Sequence, residues 1–234
     1  MPIGQIIILL LAAFVPPIIY AIWIRNTEKY HREEWRAISL SFLWGATIAI
    51  VAAIILEVFL NYSIAPSINP SMSYVVTVVI IAPFAEELTK PLALRLKTIK
   101  RELSEPEDGL IYGAVAGLGF SATENLFYGY EFLSEGILIF FILITIRSIG
   151  GCFLHASATA LTGYGYGKKI MNKTSLLRVL PYFVLAMIVH GFYNGILVFN
   201  IIGAILGLST ALLFSIIIVS VIRKKIISLD FSNK

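Results

Sequence analysis

The run Ile3–Ile24, IGQIIILLLAAFVPPIIYAIWI, carries no charge and is followed at once by Arg25–Arg36, RNTEKYHREEWR. About 20 apolar residues let a helix cross the hydrocarbon core of a bilayer. A basic segment next to such a run marks the cytoplasmic side. An uncharged crossing and then a basic edge is therefore the first unit of a membrane protein. The run has no basic stretch ahead of it and no small-residue cleavage site, so it reads as a retained helix rather than a signal peptide.

Outward from this unit, comparable runs recur at roughly 37–60, 72–94, 109–130, 136–166, 179–199 and 201–222. The last two are separated only by Asn200–Gly203, which suits a tight helical hairpin. With the N-terminus outside, the cytoplasmic segments are 25–36, 95–108, 167–178 and 223–234. They contain every Lys and Arg, Lys234 included, except Lys90 and Arg147, which fall inside spans. The predicted external loops, including the uncharged Asn61–Ser71, contain none. This bias predicts an all-α, polytopic bundle of seven transmembrane helices, with the N-terminus outside and the C-terminus cytoplasmic. It is expected to be a single domain over 1–234, with its catalytic core at about 72–199, in the cell membrane as a multi-pass protein.

Composition agrees. Of the 234 residues, 58% are hydrophobic and only 14% charged, with a mean hydropathy of +0.87. That is too little charge to coat a water-facing surface, which excludes a soluble enzyme and a disordered chain. The net charge of +4 comes from the cytoplasmic segments, which set topology and touch anionic lipid, so no nucleic-acid partner is expected. The lone cysteine, Cys152, excludes an internal disulfide and a multi-cysteine metal centre.

Against this background, Glu86, Glu87, Lys90, Glu124, Arg147, His155 and His190 stand inside spans, with Asn125 and Asn194 beside them. Each buried ionisable group costs about 2.5–3.5 kcal/mol, and together they would cost on the order of 20 kcal/mol, unless they face one another or water. Glu57, near an external end, reads as a snorkelling side chain. In Pro83–Pro91, PFAEELTKP, Lys90 stands i+4 from Glu86 and i+3 from Glu87, within reach of both. Neither proline has an N–H, so the carbonyls of Val79 and Glu87 lose their helical partners and kinks are expected there. Freed backbone at membrane depth is tolerated where it lines a watery cavity.

Gly109, Gly113 and Gly117 have small-xxx-small spacing, which lets a neighbouring helix approach. The same span then carries Glu124 and Asn125. Arg147 and His155 share one helical face, as do His190 and Asn194. At 1.5 Å per residue from the cytoplasmic ends, Glu87 lies about 12 Å deep, His190 about 18 Å, His155 about 20 Å and Glu124 about 24 Å. They form a band around the bilayer middle.

Three acids and two fixed cations leave this cluster near −1 with neutral histidines, which welcomes a dication. Catalytic zinc takes three His or Glu ligands plus a water whose pKa it lowers to near 7. His155, His190 and one glutamate are the candidate ligands, with Glu124 taken as that glutamate. Glu86 and Glu87 are the candidate proton carriers, and Asn194 is the candidate donor to an oxyanion. Lys90, Asn125 and Arg147 support them. No serine nucleophile motif appears and no aspartate lies within a span.

The ordered set E-E-x-x-K (Glu86, Glu87, Lys90), G-F-x-x-x-E-N (Gly119, Phe120, Glu124, Asn125), His155 followed by small residues, and H-x-x-x-N (His190, Asn194) resembles the PrsW family of intramembrane metalloproteases. The resemblance covers roughly residues 80–200. It implies an intramembrane endopeptidase with zinc as its metal, and a membrane-protein substrate such as a single-span, anti-sigma-factor-like protein. The wider superfamily implied includes type II CAAX prenyl proteases and the γ-secretase scaffold subunit. The prenyl proteases pair their E-E motif with F-x-x-x-H, whereas this chain has Phe120 followed by Glu124, with His155 the substitute. By the same resemblance, Glu86 handles the water. Two alternatives follow from these relatives: a metal-independent glutamate protease, and a non-catalytic scaffold that binds transmembrane helices.

Overall fold

The computed structural model describes residues 2–64, 67–199 and 203–232, and among them every regular element is helical. In chain order these are α1 (Ile3–Arg25), α2 (Trp35–Ile64), α3 (Pro70–Arg95), α4 (Lys97–Glu102), α5 (Pro106–Leu133), α6 (Ile137–Met171), α7 (Leu180–Phe199) and α8 (Ala204–Ser232). Each apolar run coincides with one long helix. The expected hairpin link falls largely on residues 200–202, outside the described residues, as does Lys234. Gly203, just before α8, has φ +84°, a left-handed conformation that glycine adopts without strain.

Six helices are long and apolar enough to cross a membrane: α1, α2, α3, α6, α7 with its preceding turn, and α8. This is a multi-pass membrane protein. The fourth expected span, α5, is 28 residues long but is not among the six. Glu107, Asp108, Glu124, Glu131 and its glycines dilute its hydropathy. It is instead the axis of the bundle, buried without a break from Glu107 to Ala122.

The surface is inverted relative to a soluble protein. Ile7, Leu11, Ile55, Phe59, Ile188 and Leu213 face outward, while charged and polar groups turn in. Without a hydrophobic drive between helices in lipid, close backbone approach carries the packing. A Cβ at Gly113 would stand 2.6 Å from the carbonyl oxygen of Thr159, and one at Gly117 would overlap the carbonyl of His155. The glycine spacing thus brings α5 against α6 at the turn that carries His155.

α3 changes helical type along its length. Pro70–Val76 is α-helical, Thr77–Ile81 is a π turn, Ala82–Thr89 returns to α, and Lys90–Arg95 is a 3₁₀ helix. The irregular stretches flank Pro83 and adjoin Pro91, where backbone donors are missing.

The segments 25–36, 95–108 and 223–232 meet at one end. Asp230 accepts from the backbone N–H of Lys29 (2.9 Å) and of Tyr30 (3.2 Å). Arg223 Nε donates to Thr27 Oγ1 (3.0 Å), and His31 Nδ1 lies 3.2 Å from Glu105 Oε1.

Candidate active site

The ionisable side chains of α3, α5, α6 and α7 converge. Lys90, fully buried, holds the centre: its Nζ donates to Glu86 Oε2 (2.6 Å) and Glu87 Oε1 (3.0 Å) and lies 2.8 Å from His155 Nδ1. The ammonium also stands 4.3 Å from the centre of the Phe120 ring. The 3₁₀ turn beginning at Lys90 leaves the side chain on the same side as both carboxylates.

The two acids have different surroundings. Glu87 is sealed: Oε1 accepts from Lys90 and faces His190 Nδ1 (2.9 Å), and Oε2 accepts from Thr159 Oγ1 (2.9 Å). Glu86 bonds Lys90 alone and lines a cavity of about 540 Å³, shared with Glu124, Arg147, His155, His190 and Asn194. Glu86 is the member of the pair that a substrate or water in this cavity meets.

Hydrogen-bond partners fix the histidine tautomers. An ammonium only donates, so Nδ1 of His155 accepts and its Nε2–H points to Glu124 Oε2, 2.8 Å away. The carboxylate of Glu87 only accepts, so His190 presents Nδ1–H to it and leaves Nε2 as the acceptor. That Nε2 lies 4.0 Å from Glu86 Oε2, and His155 Nδ1 lies 3.5 Å from the same oxygen. Both acceptor nitrogens therefore turn toward Glu86, and each outer nitrogen is held by a carboxylate. Metal-binding histidines are commonly held in this way.

Glu124 in turn forms an ion pair with Arg147 (Oε2–Nη2 2.7 Å), and Arg147 Nε donates to Asn125 Oδ1 at 2.9 Å. The guanidinium carbon stacks 4.0 Å from the centre of the Tyr128 ring. Asn194 lines the cavity and donates from Nδ2 to the carbonyl of Val78 (2.9 Å). In the π turn, Ala82 N–H bonds the Thr77 carbonyl, so the next carbonyl, that of Val78, would look to Pro83, which has no N–H. Asn194 supplies the missing donor.

Every expected site residue except Asn194 thus lies in one connected network, and Asn194 lines the same cavity. The donors able to close on a single ion are Glu86, Glu87, His155 and His190, with one atom from each within 4.8 Å of the others. Glu124, expected as a ligand, lies outside that group and braces His155. Nitrogen and carboxylate donors of this kind suit zinc. Lys90 now stands among them, and an ion would share or take its place. Two residues escaped the sequence reading. Thr159 looks like an ordinary helical threonine, and Glu57, read as snorkelling, lines the cavity.

A family model described as PrsW family intramembrane metalloprotease matches residues 33–222. The chain belongs to this family. Two PrsW relatives are each called Protease PrsW. The one from Clostridioides difficile is 31% identical over 121 residues, 51% of this chain. The one from Geobacillus kaustophilus is 27% identical over 172 residues, 72% of this chain. The chain spans 50% of the length of the first relative and 72% of the second. No solved structure matches it. The PrsW match spans the network and the cavity beside it, from Glu86 to Asn194.

Proposed function

We propose that this protein is an intramembrane endopeptidase that hydrolyses a peptide bond of a membrane-protein substrate, with Glu86 as the proton carrier. The observation that carries this reading is the convergence of His155 Nδ1 and His190 Nε2 on Glu86 Oε2, the one carboxylate of the pair open to the cavity. In this reading α5 is the seventh span, the N-terminus lies outside, and the basic end faces the cytoplasm. Residues 72–199 form the catalytic core of a single membrane domain within the cell membrane.

Glu86 takes a proton from a water lodged beside it and returns it to the leaving amine. Lys90 holds Glu86 in place at the edge of the cavity through its 2.6 Å hydrogen bond. Glu87 and Glu124 orient His190 and His155. Asn194 spends one N–H on Val78 and has a second for the oxyanion of the tetrahedral intermediate. A dication such as zinc, held by His155, His190 and a carboxylate of the Glu86/Glu87 pair, would polarise the scissile carbonyl and acidify its bound water. The family's name as a metalloprotease and the donor set support zinc.

One observation favours a metal-independent variant: the Lys90 ammonium already supplies positive charge within 3.0 Å of Glu86, Glu87 and His155. Metal analysis of purified protein separates the two. Stoichiometric zinc that is lost in His155→Ala supports the metal route, and metal-free protein that cleaves a single-span, anti-sigma-factor-like reporter supports the other. Either route fails if the folded wild type cleaves no membrane-anchored reporter while Glu86→Gln raises its thermal stability. That outcome would leave a scaffold that binds transmembrane helices.

A further inference from the structure

A second cluster of acids lies at the basic end, on segments the catalytic network does not use. Carboxylate oxygens of Glu28, Glu33 and Asp108 lie within 4.8 Å of one another. Glu28 also belongs to a second such group, with Glu107 and Asp230. Glu28 is fully buried, and neither of its carboxylate oxygens has a hydrogen-bond partner among the described residues. Glu33 is 5% exposed; Tyr112 donates to its Oε2, while its Oε1 has no partner.

Nearby cations do not answer these charges. Arg25 donates from Nε to the backbone carbonyl of Glu33 (2.7 Å), and Arg32 donates to that of Glu28 (2.9 Å). Among the described residues, Glu28, Glu33 and Asp108 form no ion pair. Burying a carboxylate without a partner costs several kcal/mol; Glu28 is such a carboxylate, beside the half-satisfied Glu33 and beside Asp108, whose Oδ2 accepts from the backbone N–H of Ser104 (2.6 Å) and Glu105 (2.8 Å). A feature this costly calls for something that binds there.

We propose that Glu28, Glu33 and Asp108 form a binding site for one hard divalent cation, calcium best, separate from the catalytic centre. The donors are all oxygen, with no nitrogen or sulfur to favour zinc. Calcium takes oxygen ligands at about 2.3–2.6 Å in a flexible geometry, which suits carboxylates from separate segments gathered within 4.8 Å of one another; magnesium demands a near-ideal octahedron at about 2.0–2.1 Å and keeps several waters. Glu107 and Asp230, grouped with Glu28, add negative charge that strengthens the attraction. The ion ties the α1–α2 segment to the start of α5, the helix that carries Glu124 and packs on His155.

The test uses the full chain in detergent, stripped with EGTA, dialysed and titrated with calcium chloride at pH 7.5. One calcium per chain is expected, with a rise in melting temperature on the order of 5 °C at saturation. Glu28→Gln should abolish both. Without calcium, that variant should melt no lower than the stripped wild type, since Glu28 has no hydrogen bond to lose. Glu86→Gln should keep the full response. Absence of saturable binding to the wild type, or undiminished binding to Glu28→Gln, overturns the proposal. So does a response lost in Glu86→Gln and kept in Glu28→Gln. If acidification to pH 5.5 in EGTA stabilises the protein and calcium adds nothing at either pH, protons hold the cluster and the site does not exist.

Discussion

Nζ of Lys90 lies 2.8 Å from Nδ1 of His155, although the two residues are 65 positions apart in the chain. The contact sets the tautomer of the histidine, fixes which nitrogen turns toward Glu86, and couples the kinked α3 to α6. It also places a fixed positive charge where a dication would bind.

Lys90→Met removes that competing charge. Zinc affinity should rise by about tenfold or more, as measured by zinc retained per chain after dialysis against a graded chelator. Loss of zinc in this variant would instead show that Lys90 orders the ligands.

Glu86→Gln keeps the size of the side chain and removes the proposed proton carrier. Cleavage of a single-span reporter should fall at least about 100-fold. The melting temperature should stay within a few degrees of wild type, because Glu87 still pairs Lys90.

Glu87→Gln should have the opposite profile. Glu87 accepts bonds from Lys90 and Thr159 and holds His190, all in full burial. Weakening that set should cost about 3 kcal/mol of stability, read by thermal unfolding, with activity falling because the folded population falls.

Gly117→Ala places a methyl group against the carbonyl of His155 and forces α5 from α6. We expect a loss of about 1–3 kcal/mol and impaired cleavage. Gly4→Ala, where nothing lies within 4 Å, should change neither.

Without a divalent cation, the basic end should respond to pH. Burial and then the neighbouring charge of Asp108 push Glu28 up to about 8 and Glu33 up to about 10. Folded-state values above the usual carboxylate value mean that the native state binds the extra protons. Their contribution to stability is complete at low pH and is lost as pH rises through about 8 and then about 10. Melting temperatures in EGTA should therefore fall between pH 7 and pH 10.

The candidate catalytic cluster was legible because ionisable residues stand out in apolar spans, and the cost of burying them forces them together. Depth estimates alone spread Glu87 and Glu124 about 12 Å apart; the kinks of α3 and the glycine contact of α5 with α6 close that gap. Thr159 was not legible, since most helical Ser and Thr bond their own backbone, as Ser157 does to Phe153. Glu28, Glu33 and Asp108 were equally silent. In a loop or at a helix start an acid is inexpensive, and only the fold shows that these are sealed from water. α5 was found by its length and flanking charges, yet its polarity keeps it apart from the six apolar helices.

Lys90 is a counter-ion on a covalent tether. It can be neither chelated nor washed out, and each newly made chain carries its own copy. The pocket is therefore assembled without a metal, so that on the proposed zinc route metal supply would govern when the enzyme works without deciding whether it folds.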